Sequence, residues 1–155
     1  FGMEVIAWSQ NLTQERCDEL GVDLVTKDAL IERADVLTLH LILGDRTRGI
    51  MQAADFARMK PSAYFINTSR GPLVDEAALI SVLENRAIAG AGIDVFDVEP
   101  LPLDHPFRRL ENTVITPHLG YVSLESYQGF YGGMVENIQA WLAGTPQRIL
   151  PLPSV

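Results

Sequence analysis

Short runs rich in Val, Ile and Leu alternate along this chain with longer stretches of helical period, which predicts an α/β fold built on a parallel sheet. A run that is apolar almost throughout, Val36 to Leu43, is what a strand covered on both faces requires. The last long apolar stripe, from about Ser123 to Ala143, predicts one long C-terminal helix.

The elements follow in order. Glu4 to Ser9 reads as a strand; Thr13 caps a short helix containing Cys17 and Leu20, which Gly21 ends. Val22 to Thr26 is the next strand. Asp28 is expected to cap a helix running through Ala34, and the strand Val36 to Leu43 leads into a loop, Gly44 to Gly49. A helix over Gln52 to Met59 stops before Pro61, and Tyr64 to Thr68 resumes the sheet. Asp75 opens a helix whose apolar positions Ala78, Leu79, Val82 and Leu83 recur at spacings of three and four, so one face packs inward. Gly90 to Phe96 and Thr113 to Thr116 supply two more strands. Between them Pro100, Pro102 and Pro106 impose an irregular loop. In the final helix Tyr127, Phe130, Tyr131, Met134, Ile138, Trp141 and Leu142 form the apolar stripe, and Gly144 with Pro146 ends it.

Composition narrows the partners. The chain has 155 residues, 47% of them hydrophobic and 21% charged, enough apolar material for a buried core. Its net charge of -8 is spread along the chain, with no basic stripe to neutralise nucleic-acid phosphates or anionic lipid, so neither nucleic acid nor membrane is expected as a partner. The single cysteine, Cys17, suits a reducing compartment, and FGMEVIAW has neither the basic start nor the cleavage site of a signal peptide, so the expected location is cytoplasmic. The opening Phe1-Gly2-Met3, without an initiator methionine, leads us to expect a domain truncated at its N-terminus.

Three places carry chemistry. Asn67-Thr68-Ser69-Arg70-Gly71 follows a strand and precedes a capped helix, which puts Arg70 beyond the carboxyl end of a strand, where open α/β sheets bind ligands. Its guanidinium stays charged and can hold a carboxylate through two parallel hydrogen bonds. Asp94 ends the next strand and Glu99-Pro100 follows, so two carboxylates are expected at one sheet edge. His118, in Thr116-Pro117-His118-Leu119-Gly120, leaves the following strand at the same edge. A carboxylate that meets this histidine fixes its tautomer and stabilises the protonated ring, an arrangement suited to acid–base catalysis. His40, His105 and His118 show no metal-ligand spacing, so no metal is expected, and no G-x-S-x-G nucleophile elbow occurs.

Long ordered motifs now accumulate: Ala34-Asp35-Val36-Leu37-Thr38-Leu39-His40; the run from Met59-Lys60-Pro61 through Asn67-Thr68-Ser69-Arg70-Gly71-Pro72-Leu73-Val74-Asp75; Gly92-Ile93-Asp94-Val95-Phe96 with Glu99-Pro100; and Thr116-Pro117-His118-Leu119-Gly120. Nearly the whole chain resembles the D-isomer-specific 2-hydroxyacid dehydrogenase family. The resemblance implies a Rossmann-like, doubly wound parallel sheet over residues 1–119, truncated at its N-terminus, with residues 120–155 forming a helix and tail that return to a substrate domain outside this chain. It implies a catalytic trio of Arg70, Glu99 and His118. In that trio Arg70 binds the substrate carboxylate and carbonyl, His118 exchanges a proton with the substrate oxygen, and Glu99 orients His118. Ser9, Thr68, Ser69, Arg70, Asp94, His118 and Gly120 are the implied cofactor contacts, for NAD or NADP, with Asp94 near the nicotinamide carboxamide. The substrate is a 2-hydroxyacid or 2-oxoacid, and the full-length protein is expected to be a homodimer.

Departures from the family pattern qualify this. Ile42 and Gly44 stand where the family usually has Pro and Thr. Trp8-Ser9-Gln10-Asn11 offers no acidic residue for the ribose hydroxyls, so no preference for NAD is implied, and no G-x-G-x-x-G phosphate loop occurs in the sequence. In the strand order 3-2-1-4-5-6 of this fold, a chain opening at the second strand lacks the central one, and the expectation is an inactive, unstable unit with a gap in its sheet. Two other readings compete: an NAD-sensing binding module of the corepressor type that shares this fold, and an inactive remnant.

Overall fold

The chain enters through β1 (Ile6–Ala7), in a computed structural model that describes residues 2–151. Thr13 accepts a hydrogen bond from the Arg16 amide and starts α1 (Gln14–Leu20); Gly21 ends it at φ 64°, a left-handed conformation that costs glycine nothing. β2 (Asp23–Leu24) then pairs with β1 in parallel. The helix α2 (Lys27–Arg33) is capped by Thr26, whose side chain accepts from the Ala29 amide, and not by Asp28 as expected. Asp28 falls instead in the first turn, where a negative charge suits the positive end of the helix dipole.

β3 (Val36–Leu39), β4 (Tyr64–Asn67), β5 (Gly90–Ile93) and β6 (Thr113–Ile115) form a four-stranded, all-parallel sheet in that order. Leu39, Asn67, Ile93 and Ile115 share the last paired row, so the strands end level with one another. The strands are shorter than their apolar runs. β3 stops at Leu39 because its partner ends at Asn67, leaving His40 to Leu43 no ladder to continue, and β5 and β6 stop at the same row. Between β3 and β4, α3 (Ala53–Phe56) covers only the first part of the predicted Gln52–Met59 helix. A 3-10 turn at Gly71–Leu73 precedes α4 (Glu76–Glu84), which Asp75 caps through the Ala78 amide, and a second such turn, Pro106–Arg108, interrupts the proline-rich loop.

The core lies against this sheet. Leu37, Leu39, Phe65, Ala91 and Ile93 from its strands pack with Phe56, Leu79, Leu83 and Phe107. Phe56 and Phe65 meet edge to face, 5.2 Å between centroids, and burying each such ring contributes about 1.5–3 kcal/mol.

β1 and β2 remain a separate pair: β1 and β3 share no ladder. Between them opens a cleft of about 1050 Å³ lined by Val5, Ile6 and Ala7 on one side and Val36, Leu37 and Thr38 on the other. The expected gap in the sheet is therefore present as an open space, and the edges of β1 and β3 do not close over it.

The chain divides into two compact units after His118. The second holds α5 (Leu124–Leu142), capped by Ser123 through the Ser126 amide. Its rings pair along the helix, Tyr127 with Tyr131 at 5.7 Å, yet the expected apolar stripe is exposed, Trp141 by 70%, and Ala140 is the buried residue of the helix. Residues 152–155 of the predicted tail lie outside the described residues. No described helix is long and apolar enough to cross a membrane.

Candidate active site

Because the four strands end level, the residues that follow them meet at one edge. Asn67, the last residue of β4, is only 2% exposed, and a buried amide must be paired. Its Nδ2 donates to the Arg70 carbonyl at 2.9 Å and its Oδ1 accepts from the Ser69 amide at 3.0 Å, which folds the loop that presents Arg70. Ser69 Oγ donates to the Leu41 carbonyl at 2.7 Å and ties that loop to the segment after β3. Arg70 itself is exposed, with Nη1 donating to the Ser69 carbonyl at 2.6 Å; Thr68 is exposed and Ser69 half-buried.

Gly71 lets two loops touch. A Cβ built there would sit 2.1 Å from the carbonyl carbon of Phe96 and 2.5 Å from the Asp97 nitrogen, so no side chain fits. The backbone beyond β5 consequently lies directly on the Arg70 loop. From that backbone Phe96 donates its amide to Glu99 Oε1 at 2.9 Å, while Glu99 Oε2 lies 2.8 Å from His118 Nδ1. Both side chains are about one-third exposed, His118 34% and Glu99 35%.

Burial pushes the Glu99 carboxyl up, but the hydrogen bonds with His118 and the Phe96 amide, with the charges of His118 and Arg70, outweigh it and hold the group below the usual glutamate value. Glu99 is thus the ionised partner of the pair and feels Arg70 as well as His118.

Asp94 is 4% exposed; its carboxylate pairs with the Thr116 hydroxyl, and its backbone carbonyl accepts the His118 amide at 2.8 Å. His118 takes φ 58°, a left-handed conformation uncommon for a residue with a side chain and typical of functional sites when the surroundings enforce it.

The structure therefore brings Glu99 against His118, with Arg70 close enough to influence Glu99 and with the Asp94 carbonyl bonded to the His118 amide. Ser9 is half-buried on the cleft beside β1, whose lining includes none of Arg70, Glu99 and His118, and Gly120 belongs to the second unit. Asn67 and Thr116 are site residues that sequence reasoning passed over. A signal for Asn67 existed, since an amide at the end of a fully apolar strand has to find partners.

The level parallel strands, with their polar groups gathered beyond the carboxyl ends, place this chain among the doubly wound α/β domains that bind ligands at that edge. It belongs to the D-isomer specific 2-hydroxyacid dehydrogenase family, whose NAD binding domain it matches over residues 1–120. It is 39% identical over 148 residues to D-3-phosphoglycerate dehydrogenase of Synechocystis, covering 96% of this chain and 26% of that protein. Glyoxylate/hydroxypyruvate reductase B of Enterobacter agglomerans is 36% identical over 155 residues, which is 100% of this chain and 48% of that one. Among solved structures, the NAD-complexed D-isomer specific 2-hydroxyacid dehydrogenase of Lactobacillus delbrueckii ssp. bulgaricus superposes with a TM-score of 0.80 at 29% identity, over 97% of this chain and 49% of that one. The chain thus spans less than half the length of these relatives.

Proposed function

We propose that this chain supplies the acid–base and carboxylate-binding groups of an NAD(P)-dependent dehydrogenase that interconverts D-2-hydroxyacids and 2-oxoacids. The observation that carries the reading is the 2.8 Å contact between Glu99 and His118 Nδ1, held beside Arg70 at the ends of a parallel sheet. Nδ1 is committed to Glu99, and we assign the proton exchange with the substrate oxygen to Nε2. In the reductive direction His118 gives that oxygen a proton, and in the oxidative direction it takes the proton back. Glu99 holds the ring in this tautomer and balances the imidazolium charge. Arg70 fits the substrate carboxylate, for which a planar, permanently charged donor is suited.

The residues present fit the nicotinamide half of the cofactor. Asp94 offers a buried acceptor, already oriented by Thr116, of the kind a carboxamide N–H needs, while the sequence holds no glycine-rich loop for the pyrophosphate. The nicotinamide, when bound, supplies or accepts the hydride at the substrate's C2. Thr68, Ser69 and Arg70 would line the same side. Ser9 and Gly120 stay in the proposal as cofactor contacts. We also place α5 with the substrate-binding part of the protein, which we read as a cytoplasmic homodimer; the buried thiol of Cys17 and the exposed apolar stripe of α5 support this.

The test is a panel of 2-oxoacids offered with NADH and with NADPH to the whole protein that carries this chain. Oxidation of either cofactor, dependent on His118, is the expected result; cofactor binding without turnover of any oxoacid would favour a sensing module instead.

A further inference from the structure

A second histidine–carboxylate pair stands behind the site. Glu76, the first residue of α4, accepts from His105 Nε2 at 3.1 Å through one oxygen and from the Asp97 amide at 3.3 Å through the other. The tautomer of His105 follows from its other nitrogen: Nδ1 accepts from the Phe107 amide at 3.3 Å, so the ring proton sits on Nε2 and points at Glu76. Both side chains are mostly buried, and the imidazole also stacks at 5.0 Å on Phe107 of the core.

These contacts converge on one peptide. The Phe96–Asp97 unit is pressed against Gly71 through its carbonyl, bound by Glu76 through the Asp97 amide, and followed by Glu99, which hangs on the Phe96 amide. A shift of this peptide moves the Glu99 carboxylate relative to both His118 and Arg70, because Gly71 adjoins Arg70 in sequence.

We propose that Glu76 is a positioning residue: braced by His105, it fixes the Phe96–Asp97 peptide against Gly71 and so sets the alignment of Glu99 with His118 and Arg70. The proposal rests on the reading of Glu99 as the partner of His118. Glu76 acts through Glu99; the carboxylates of its neighbours Asp75 and Asp97 add charge beside it, while Asp97 makes the bond with its backbone amide alone.

Glu76→Gln is the discriminating variant. It keeps the volume and one acceptor oxygen, but its amide group must confront either the Asp97 amide or His105 Nε2, both donors. In the whole protein, with isotope-labelled glutamate carboxyls followed by NMR, the Glu99 titration should move up towards its ordinary range. Turnover should fall by about tenfold, the scale of one lost hydrogen bond, with KM for the oxoacid and the cofactor nearly unchanged. In a Glu99→Gln background the same substitution should cost nothing further, since two groups acting through one contact are not additive. His105→Asn, which leaves the Asp97 bond intact, should produce a smaller shift in the same direction and serves if Glu76→Gln does not fold. An unmoved Glu99 titration in either folded variant, or additive losses in the double variant, overturns the proposal. A moved titration together with a Glu99→Gln variant of normal turnover would leave Glu76 its positioning role and defeat the catalytic reading instead.

Discussion

The backbone carbonyl of Asp94 receives the amide of His118 at 2.8 Å, and this bond holds His118 in its left-handed conformation. The imidazole is therefore aimed by main-chain geometry before its side-chain partner Glu99 is considered. Removing the ring should leave the turn standing. His118→Ala is expected to lower kcat by ~10²–10⁴-fold, the usual loss for a general acid–base group, with a far smaller effect on KM. Steady-state kinetics of the whole protein measure it, and a variant with near-normal kcat would remove His118 from the chemistry.

Glu99→Gln should lower kcat for oxoacid reduction, because His118 loses the carboxylate that holds its ring at Nδ1. The same substitution has a signature in stability. A carboxyl held below its ordinary value when folded stabilises the chain above that ordinary value, and the contribution disappears as pH falls through the folded titration. The melting temperatures of parent and variant should differ most near neutral pH and converge in acid, by a modest amount since the group is one-third exposed. A gap that widens in acid contradicts the assignment.

For the cofactor, Ser9, Gln10 and Asn11 follow β1 with no carboxylate to repel a 2′-phosphate and no arginine immediately beside them to attract one. Weak discrimination is expected, with NADPH accepted. A preference for NADH of ~10³-fold, about 4 kcal/mol, in comparative kcat/KM measurements would refute this.

The cleft between β1 and β3 makes a prediction about residues 1–155 by themselves. Two open strand edges facing one apolar space invite pairing with another chain. Light scattering on this chain should show association, and thermal unfolding should lack a single sharp transition. A cooperative monomer that binds NAD with micromolar affinity would show that the edges are satisfied in some other way.

Much of this was legible in the order of residues. Strand positions, the caps Thr13 and Asp75, and the gathering of Arg70, Glu99 and His118 at one edge all follow from local periodicity and from the rule that ligands meet strand ends. The lengths were less legible, because a strand ends where its partner ends: nothing in Val36 to Leu43 reveals that β4 stops at Asn67. Thr26 and Asp28 are both competent caps, and only the path of the backbone decides between them. The bracing of the Glu99 loop joins residues far apart in sequence, Gly71 to Phe96 and Glu76 to His105, and no local pattern encodes such contacts.

Each of four bonds that shape the site has a main-chain atom at one end or both: Asn67 Nδ2 to the Arg70 carbonyl, Ser69 Oγ to the Leu41 carbonyl, the Phe96 amide to Glu99 Oε1, and the His118 amide to the Asp94 carbonyl. A site assembled on main-chain atoms is indifferent to most exchanges of surrounding side chains, because the atoms it depends on are present in every amino acid. It is sensitive to spacing instead. Inserting or deleting one residue between Asn67 and Gly71, or between Asp94 and Glu99, would displace these atoms by about 3.8 Å, more than any hydrogen bond can absorb. These loops therefore have room for exchange at positions other than Asn67, Ser69, Arg70, Gly71 and Glu99, and almost none for a change in length.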